Sequence, residues 1–224
     1  MKLATAANRD PQRSARTPSG GRQAEHAERC ELCAAYRLAD HGHVVDRTAR
    51  KLCCVCGPCA VAFQGAREGR YLGIPTRFAT DLTFCLTAAQ WDALAIPVRL
   101  AFIMRQSSQE RWVAFCPSAA GASEAELSQS AWSELAVQQP LLRSIRDDVE
   151  TALVRSGPGG TFACFVVPID VCYELVALVR RYFRGFSGGE RVQLETDRFF
   201  ARLEAASEIV VGERRRQDAV GASR

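Results

Sequence analysis

Six of the ten cysteines lie between residues 30 and 59, and their spacing is typical of metal ligands. Cys30 and Cys33 form one C-x-x-C pair, Cys56 and Cys59 form a second, and 22 residues separate the two pairs. A C-x-x-C turn directs two sulfur atoms at one ion, and two such turns complete a tetrahedron with Zn–S bonds of about 2.3 Å. The spacing predicts a structural zinc site in a zinc-ribbon-like module.

Further candidate ligands lie beside and between these pairs. Cys54 extends the second pair to a C-x-C-x-x-C run, and Cys53 precedes it. His41 and His43 flank Gly42 in the segment between the pairs. The two histidines are either ordinary loop residues or ligands, in a mixed Cys/His site or of a second metal ion.

Three interpretations of the cysteine cluster are open. Cysteine sulfur binds zinc, a rubredoxin-like iron centre or an iron–sulfur cluster, and ligand softness alone does not separate these metals. The third interpretation is a redox dithiol without metal, which would require a thioredoxin-like βαβ context that the sequence lacks. We therefore expect zinc, with iron as the alternative.

The remaining cysteines occur singly within apolar segments, at Cys85, Cys116, Cys164 and Cys172. Isolated thiols of this kind pack as small hydrophobic side chains, so we expect all four in the core. A cysteine nucleophile needs a histidine base, and the three histidines all precede this part of the chain. The sequence indicates no catalytic site, and we expect a non-enzymatic protein.

Changes in composition divide the chain into segments. Residues 1–28 are polar and aperiodic, which is typical of disorder. Residues 29–63 form the predicted cysteine-rich metal-binding module, and a polar linker joins it to a domain over residues 71–206. Residues 207–224 are predicted to be a disordered basic tail.

The strand patterns of the larger domain are alternations of apolar and polar residues. They predict strands over residues 78–86, 98–104, 111–116, 151–155 and 161–168. The second and third of these strands are joined by a short turn and form a predicted hairpin.

The helix signals of the same domain are capping boxes and amphipathic stripes. Thr87 with Gln90, and Ser123 with Glu126, each predict the start of a helix. Further helices are predicted over residues 141–149, 170–182 with Asp170 as the cap, and 190–206. Strands and helices do not alternate regularly, so we expect an α+β fold with a mainly antiparallel sheet and flanking helices.

The formal net charge of +4 lies in the predicted tails. Residues 1–29 carry six basic and three acidic side chains, and residues 213–224 carry four basic and two acidic ones. The cysteine module has four basic and three acidic side chains, so four zinc-bound thiolates would bring its charge to about −1. Nucleic acids are bound by concentrated positive charge, so a nucleic-acid-binding zinc finger is disfavoured.

Membrane and export signals are not expected in this sequence. No stretch approaches the roughly 18 consecutive apolar residues of a membrane span, and the first residues lack the apolar core of a secretory signal. We therefore expect a cytoplasmic protein. In that compartment thiols stay reduced, and clustered cysteines indicate metal or redox chemistry rather than disulfides.

Several motifs together resemble an uncharacterised bacterial protein family. They are RCELC, HGHVVD, the C-x-C-x-x-C run, WDALAIPVRLAF, AFCPSAAGASEAEL and VPIDVCYELVALVRRYFRGFSGG, and they extend over residues 29–206. Members of the family are often encoded beside genes for uptake NiFe hydrogenases. The resemblance implies an accessory role in hydrogenase assembly or electron transfer, with hydrogenase subunits or maturation factors as protein partners.

The resemblance also implies which residues bind the metal. The matching positions are Cys30, Cys33, Cys54, Cys56 and Cys59. Cys53 departs from the family pattern, in which an apolar residue is usual, and is the weakest candidate. An electron-transfer protein that binds iron through the same cysteines is the alternative function.

Overall fold

The computed structural model describes residues 28–184 and 189–210, and these form two sheets of different size. The predicted tails fall almost entirely outside the described residues, so their predicted disorder stays a prediction. Within the described ranges, no helix has the length and apolar character needed to cross a membrane.

The smaller sheet contains three antiparallel strands in the order β2-β1-β3. Its elements are β1 (Gly42–Asp46), β2 (Lys51–Val55), a short helix α1 (Gly57–Ala62) and β3 (Tyr71–Gly73). Two glycines allow close packing here. A Cβ at Gly73 would lie 2.1 Å from the Phe63 carbonyl oxygen, and one at Gly42 would lie 2.4 Å from Ala60 Cβ.

The larger sheet contains seven strands in the order β10-β4-β9-β8-β5-β6-β7. They are β4 (Ala79–Thr80), β5 (Leu100–Gln106), β6 (Arg111–Ser118), β7 (Gly121–Ala125), β8 (Glu150–Ser156), β9 (Phe162–Pro168) and β10 (Glu208–Ile209). Only the short β10–β4 pair is parallel among these neighbours.

Helices cover both faces of the larger sheet because its central strands are apolar on both sides. One face packs against α2 (Ala88–Ala93), α3 (Gln129–Gln138) and α4 (Pro140–Arg143). The other packs against α5 (Ile169–Tyr182) and α6 (Gly189–Ala206). Alternation along β5 shows this division, since Ala101 and Ile103 face the first group while Phe102 and Met104 face the second.

The predicted α+β class with a mainly antiparallel sheet is confirmed. The predicted hairpin is β5–β6, which pairs Arg105 with Trp112. The capping box of Thr87 and Gln90 is present at the start of α2, and the predicted last helix is α6.

Four local predictions are wrong. The strand over residues 78–86 is reduced to β4, because the Asp81 carboxylate accepts from the Thr83 amide (2.7 Å) and closes a turn. Ser123 lies on β7, and the following helix begins instead after Ser128, whose side chain accepts from the Ala131 amide. The helix predicted over residues 141–149 ends at Arg143, and α5 has Pro168 rather than Asp170 as its N-cap.

The two sheets are in contact through apolar and charged side chains. Val45 and Leu72, from the smaller sheet, are buried in the same hydrophobic cluster as α5 and α6. Arg47, which follows β1, donates from Nε to Asp148 Oδ2 at 3.1 Å and from Nη2 to Ser107 Oγ at 2.6 Å. The cysteine-rich sheet is therefore held against one side of the larger sheet.

Candidate metal centre

The first C-x-x-C pair lies on a tight turn that precedes the smaller sheet. Cys30 is buried, and its amide donates to the Ala35 carbonyl at 2.8 Å. The Ala34 amide donates back to the Cys30 carbonyl at 2.9 Å, and Ala34 takes a left-handed conformation with φ of 60°. The reversal at Ala34 closes the turn, so that the side chains of Cys30 and Cys33 lie on the same side.

The second pair lies at the start of α1. Cys56 is the N-cap residue, with extended backbone angles (φ −70°, ψ 162°), and Cys59 is in the first turn. Pro58, between them, suits this position because its missing amide would have no partner there. The helix start therefore serves as the second tight turn that the sequence predicted.

The four sulfur atoms converge on one point. The Sγ atoms of Cys30, Cys33, Cys56 and Cys59 all lie within 4.8 Å of one another. Cys33 Sγ and Cys56 Sγ are 3.6 Å apart, far longer than a disulfide bond of about 2.05 Å. A zinc tetrahedron with bonds of about 2.3 Å has sulfur–sulfur edges of about 3.8 Å. The four-thiol group therefore has dimensions that can hold one metal ion.

The electrostatics of the four thiols also fit a cation. Burial opposes ionisation of Cys30, but hydrogen bonds from backbone amides, that of Cys56 first among them, outweigh burial and lower its pKa to about 6. The contact with Cys33, together with burial, raises the pKa of Cys59 to about 12. One thiolate thus hinders ionisation of its neighbours. A bound cation would remove this conflict, because metal-bound thiols are deprotonated.

A small apolar cluster and one carboxylate support the site. Val44, Cys53 and Val55 are buried beneath the sulfur atoms together with Cys30 and Cys56. Glu31 joins the first turn to β2, because its Oε1 accepts from the Cys54 amide at 2.8 Å and its Oε2 forms an ion pair with Lys51. No sequence motif singles out Glu31.

The structure separates the other candidate ligands from this group. Cys54 lies on the opposite face of β2 and forms a second group with His41 and His43. Cys53 is buried in the small apolar cluster, where burial raises its pKa. The predicted ligand role of Cys54 therefore stays a prediction, and it does not involve the four-thiol group.

The single cysteines of the larger domain divide into two kinds. Cys116, Cys164 and Cys172 are buried, as predicted. The core position predicted for Cys85 is wrong, because the turn after β4 leaves this side chain exposed.

The fold and the site define an α+β protein with a small cysteine-rich sheet and a four-thiol group that can hold a metal ion. The chain belongs to the family of unknown function DUF5947, whose model matches residues 29–207. The comparisons with curated proteins and with solved structures return no match.

Proposed function

We propose that this chain is a non-enzymatic accessory protein whose four-thiol group holds a structural zinc ion. The observation that carries the proposal is the convergence of Cys30, Cys33, Cys56 and Cys59 within 4.8 Å. Four protein ligands close the coordination sphere of zinc, and closed sites of this kind are structural. Catalytic zinc sites keep a position free for water or substrate.

The size of the small sheet supports a folding role for the metal. Among the residues that the structure describes, its own apolar cluster has five buried side chains, three of which are cysteines. Structural zinc contributes about 10–16 kcal/mol of apparent binding free energy in small zinc-finger peptides. A contribution of that order would stabilise a sheet that buries too little apolar surface to fold alone.

The metal is tested by elemental analysis and a visible spectrum of protein purified without oxygen and without added metal. We expect colourless protein with zinc that resists a weak chelator. The double substitution Cys33→Ser with Cys59→Ser should remove this zinc. The control variant Cys85→Ser, which changes an exposed cysteine outside the four-thiol group, should retain the zinc. Iron with visible absorption bands would contradict the zinc proposal and favour the electron-transfer alternative.

The proposed setting is the cytoplasm of a bacterium, where the protein supports assembly or function of a NiFe hydrogenase system through protein contacts. The motif resemblance supports this setting. Exposed apolar side chains on the metal module support a protein contact, since Tyr36, Leu38 and Val61 are 67%, 80% and 68% exposed. Burial of such side chains against a partner would be favourable, because the hydrophobic effect drives most protein–protein association.

The partner is tested by affinity capture from cells that produce an uptake NiFe hydrogenase. We expect the tagged chain to retain hydrogenase subunits or maturation factors. The double substitution Leu38→Ser with Val61→Ser should abolish capture without loss of zinc, and Leu82→Ser, on an equally exposed side chain of the larger domain, should not. Capture of no hydrogenase component by the unchanged chain would contradict this setting.

A further inference from the structure

Three side chains of metal-ligand type lie together on the face of the smaller sheet that is turned toward α5, opposite the four-thiol group. His41 and His43 are two residues apart and so share one face of the extended chain. Cys54 lies directly across from His43 in the β1–β2 register. One ligand atom from each of the three lies within 4.8 Å of the other two.

The Nε2 atom of His41 is buried and has no hydrogen-bond partner. Leaving a buried polar atom unpaired is unfavourable, and such atoms in proteins require an explanation. A metal ion at Nε2 would supply the missing partner, since neutral imidazole nitrogen is the commonest protein ligand of metals.

Two neighbours compete for the other nitrogen of His41. The Ala39 carbonyl oxygen and Arg37 Nη1 each lie 2.7 Å from Nδ1. Because a carbonyl only accepts and a guanidinium only donates, the two contacts require different tautomers. A metal at Nε2 selects the tautomer in which Nδ1–H donates to Ala39, while Arg37 keeps its ion pair with Glu28.

His43 is oriented by a carboxylate from the larger domain. Its Nδ1 lies 3.2 Å from Asp170 Oδ2, on the first turn of α5. Metal-binding histidines almost always donate their second ring N–H to a carboxylate or carbonyl, which fixes the tautomer and leaves the other nitrogen for the metal. His41 and His43 therefore each have such an acceptor, at Ala39 and at Asp170.

We propose that His41, His43 and Cys54 form a second metal site, which takes a divalent transition-metal ion of borderline softness such as Zn²⁺ or Co²⁺. Two imidazoles and one thiolate suit these ions and not the hard ions Mg²⁺ and Ca²⁺. Asp170 is a positioning residue that acts through His43. The site shares no ligand with the four-thiol group and does not depend on the function proposed above.

Three protein ligands leave a coordination position open. The site borders a solvent-open cavity of about 640 Å³ that His43, Cys54, Asp170 and Tyr173 help to line. An open position facing solvent is the arrangement of zinc sites that bind water or a further ligand. The second ion is therefore exchangeable, whereas an ion in the four-thiol group would have four protein ligands and no open position.

The test is zinc binding by the full chain in equilibrium dialysis, followed by elemental analysis. We expect two zinc ions per unchanged chain at saturation, and one in Cys54→Ser and in His43→Ala. The zinc that remains shows that the four-thiol group is intact in these variants. Cys85→Ser is the matched cysteine control and should bind two. Saturation of the unchanged chain at one ion, or two ions in Cys54→Ser, would overturn the proposal.

A substitution at Asp170 and a measurement on the unchanged chain complete the test. Asp170→Asn should weaken binding of the second ion by about 10–100-fold and leave the first unaffected. X-ray absorption of the unchanged chain with two zinc ions should show a mixed shell of sulfur and nitrogen, with histidine scattering. A shell of sulfur alone, or equal second-ion affinity in Asp170→Asn, would contradict the proposed ligands.

Discussion

Glu150 is fully buried at the start of β8, and its charge is balanced by two arginines. Arg77 donates to both carboxylate oxygens, from Nε to Oε1 at 3.1 Å and from Nη2 to Oε2 at 3.0 Å. Arg146 donates from its side chain to Oε1 at 3.0 Å and from its backbone amide to Oε2 at 2.9 Å. A buried carboxylate is tolerated only when its oxygens are paired in this way.

We expect Arg77→Ala to lower the free energy of unfolding by about 3 kcal/mol, because it leaves the buried Glu150 charge with incomplete compensation. Urea unfolding of the metal-loaded protein measures this change. Arg111→Ala is the control, because Arg111 and Glu124 form an ion pair in which both side chains are 44% exposed. The control should cost less than about 1 kcal/mol. An equal loss of unfolding free energy in Arg77→Ala and Arg111→Ala would contradict the idea that burial of Glu150 makes its pairing important.

Cys172 is a second residue whose burial has a measurable consequence. Its side chain is fully buried, 3.0 Å from Thr151 Oγ1, and burial raises its pKa to about 12. The unfolded thiol has a pKa of about 8.5. The protonated thiol therefore makes its full contribution to the free energy of unfolding below about pH 8.5. This contribution is lost as the pH rises toward 12.

We expect the free energy of unfolding to fall between pH 8.5 and 10, and Cys172→Ala to make this fall shallower by up to about 1.4 kcal/mol per pH unit. Denaturant titrations at a series of pH values measure the slope. Cys85→Ala, at an exposed cysteine, is the matched control for the loss of a thiol. An unchanged slope in Cys172→Ala would show that this thiol does not contribute to the pH dependence of the free energy of unfolding.

Among the secondary-structure elements, two similar sequence signals have different outcomes. The capping box at Thr87 is formed, with the Gln90 amide donating to Thr87 Oγ1 at 3.1 Å. The similar pattern at Ser123 lies on β7, where Cys116 pairs with Ser123. Pairing with β6 therefore overrides the local preference for a helix start, because ladder hydrogen bonds and tertiary contacts outweigh a signal worth about 1 kcal/mol.

We expect Thr87→Ala to lower the free energy of unfolding by about 0.5–2 kcal/mol, because the first turn of α2 loses its cap. Ser123→Ala should change it by less than about 0.5 kcal/mol, because its side chain caps no helix. Urea unfolding under identical conditions compares the two variants. A larger loss in Ser123→Ala than in Thr87→Ala would contradict the assignment of the caps.

At the scale of the whole molecule, the described residues have separate apolar cores. The small core beneath the four-thiol group is distinct from the two clusters on either face of the larger sheet. Val45 and Leu72 connect the smaller sheet to the cluster beside α5. The metal and the larger sheet should therefore make separable contributions to stability.

We expect a strong chelator to unfold the smaller sheet and to leave the larger one folded, because only the small core depends on the metal. Hydrogen exchange should accelerate in residues 42–55 and remain slow in residues 150–168 after chelation. Excess zinc should restore the slow exchange in residues 42–55. Equal acceleration in both ranges would show that the two sheets unfold as one unit.

Features that depend on short spacings follow from the sequence alone. Two C-x-x-C pairs imply two tight turns, and each turn places its sulfur atoms by local geometry alone. Alternation identified the β5–β6 hairpin in the same way, because a turn fixes the register of its neighbouring strands. The two tight turns were therefore predictable from the sequence, but which four of the clustered cysteines and histidines converge was left open.

The arrangement on the other face of the smaller sheet depends on tertiary packing. The sequence places Cys54 beside the second pair, but the alternation of β2 turns it away, and the β1–β2 register sets it opposite His43. Asp170 reaches His43 from 127 positions further along the chain. Contacts of this kind depend on how the two sheets pack, and neither residue spacing nor local propensity contains that information.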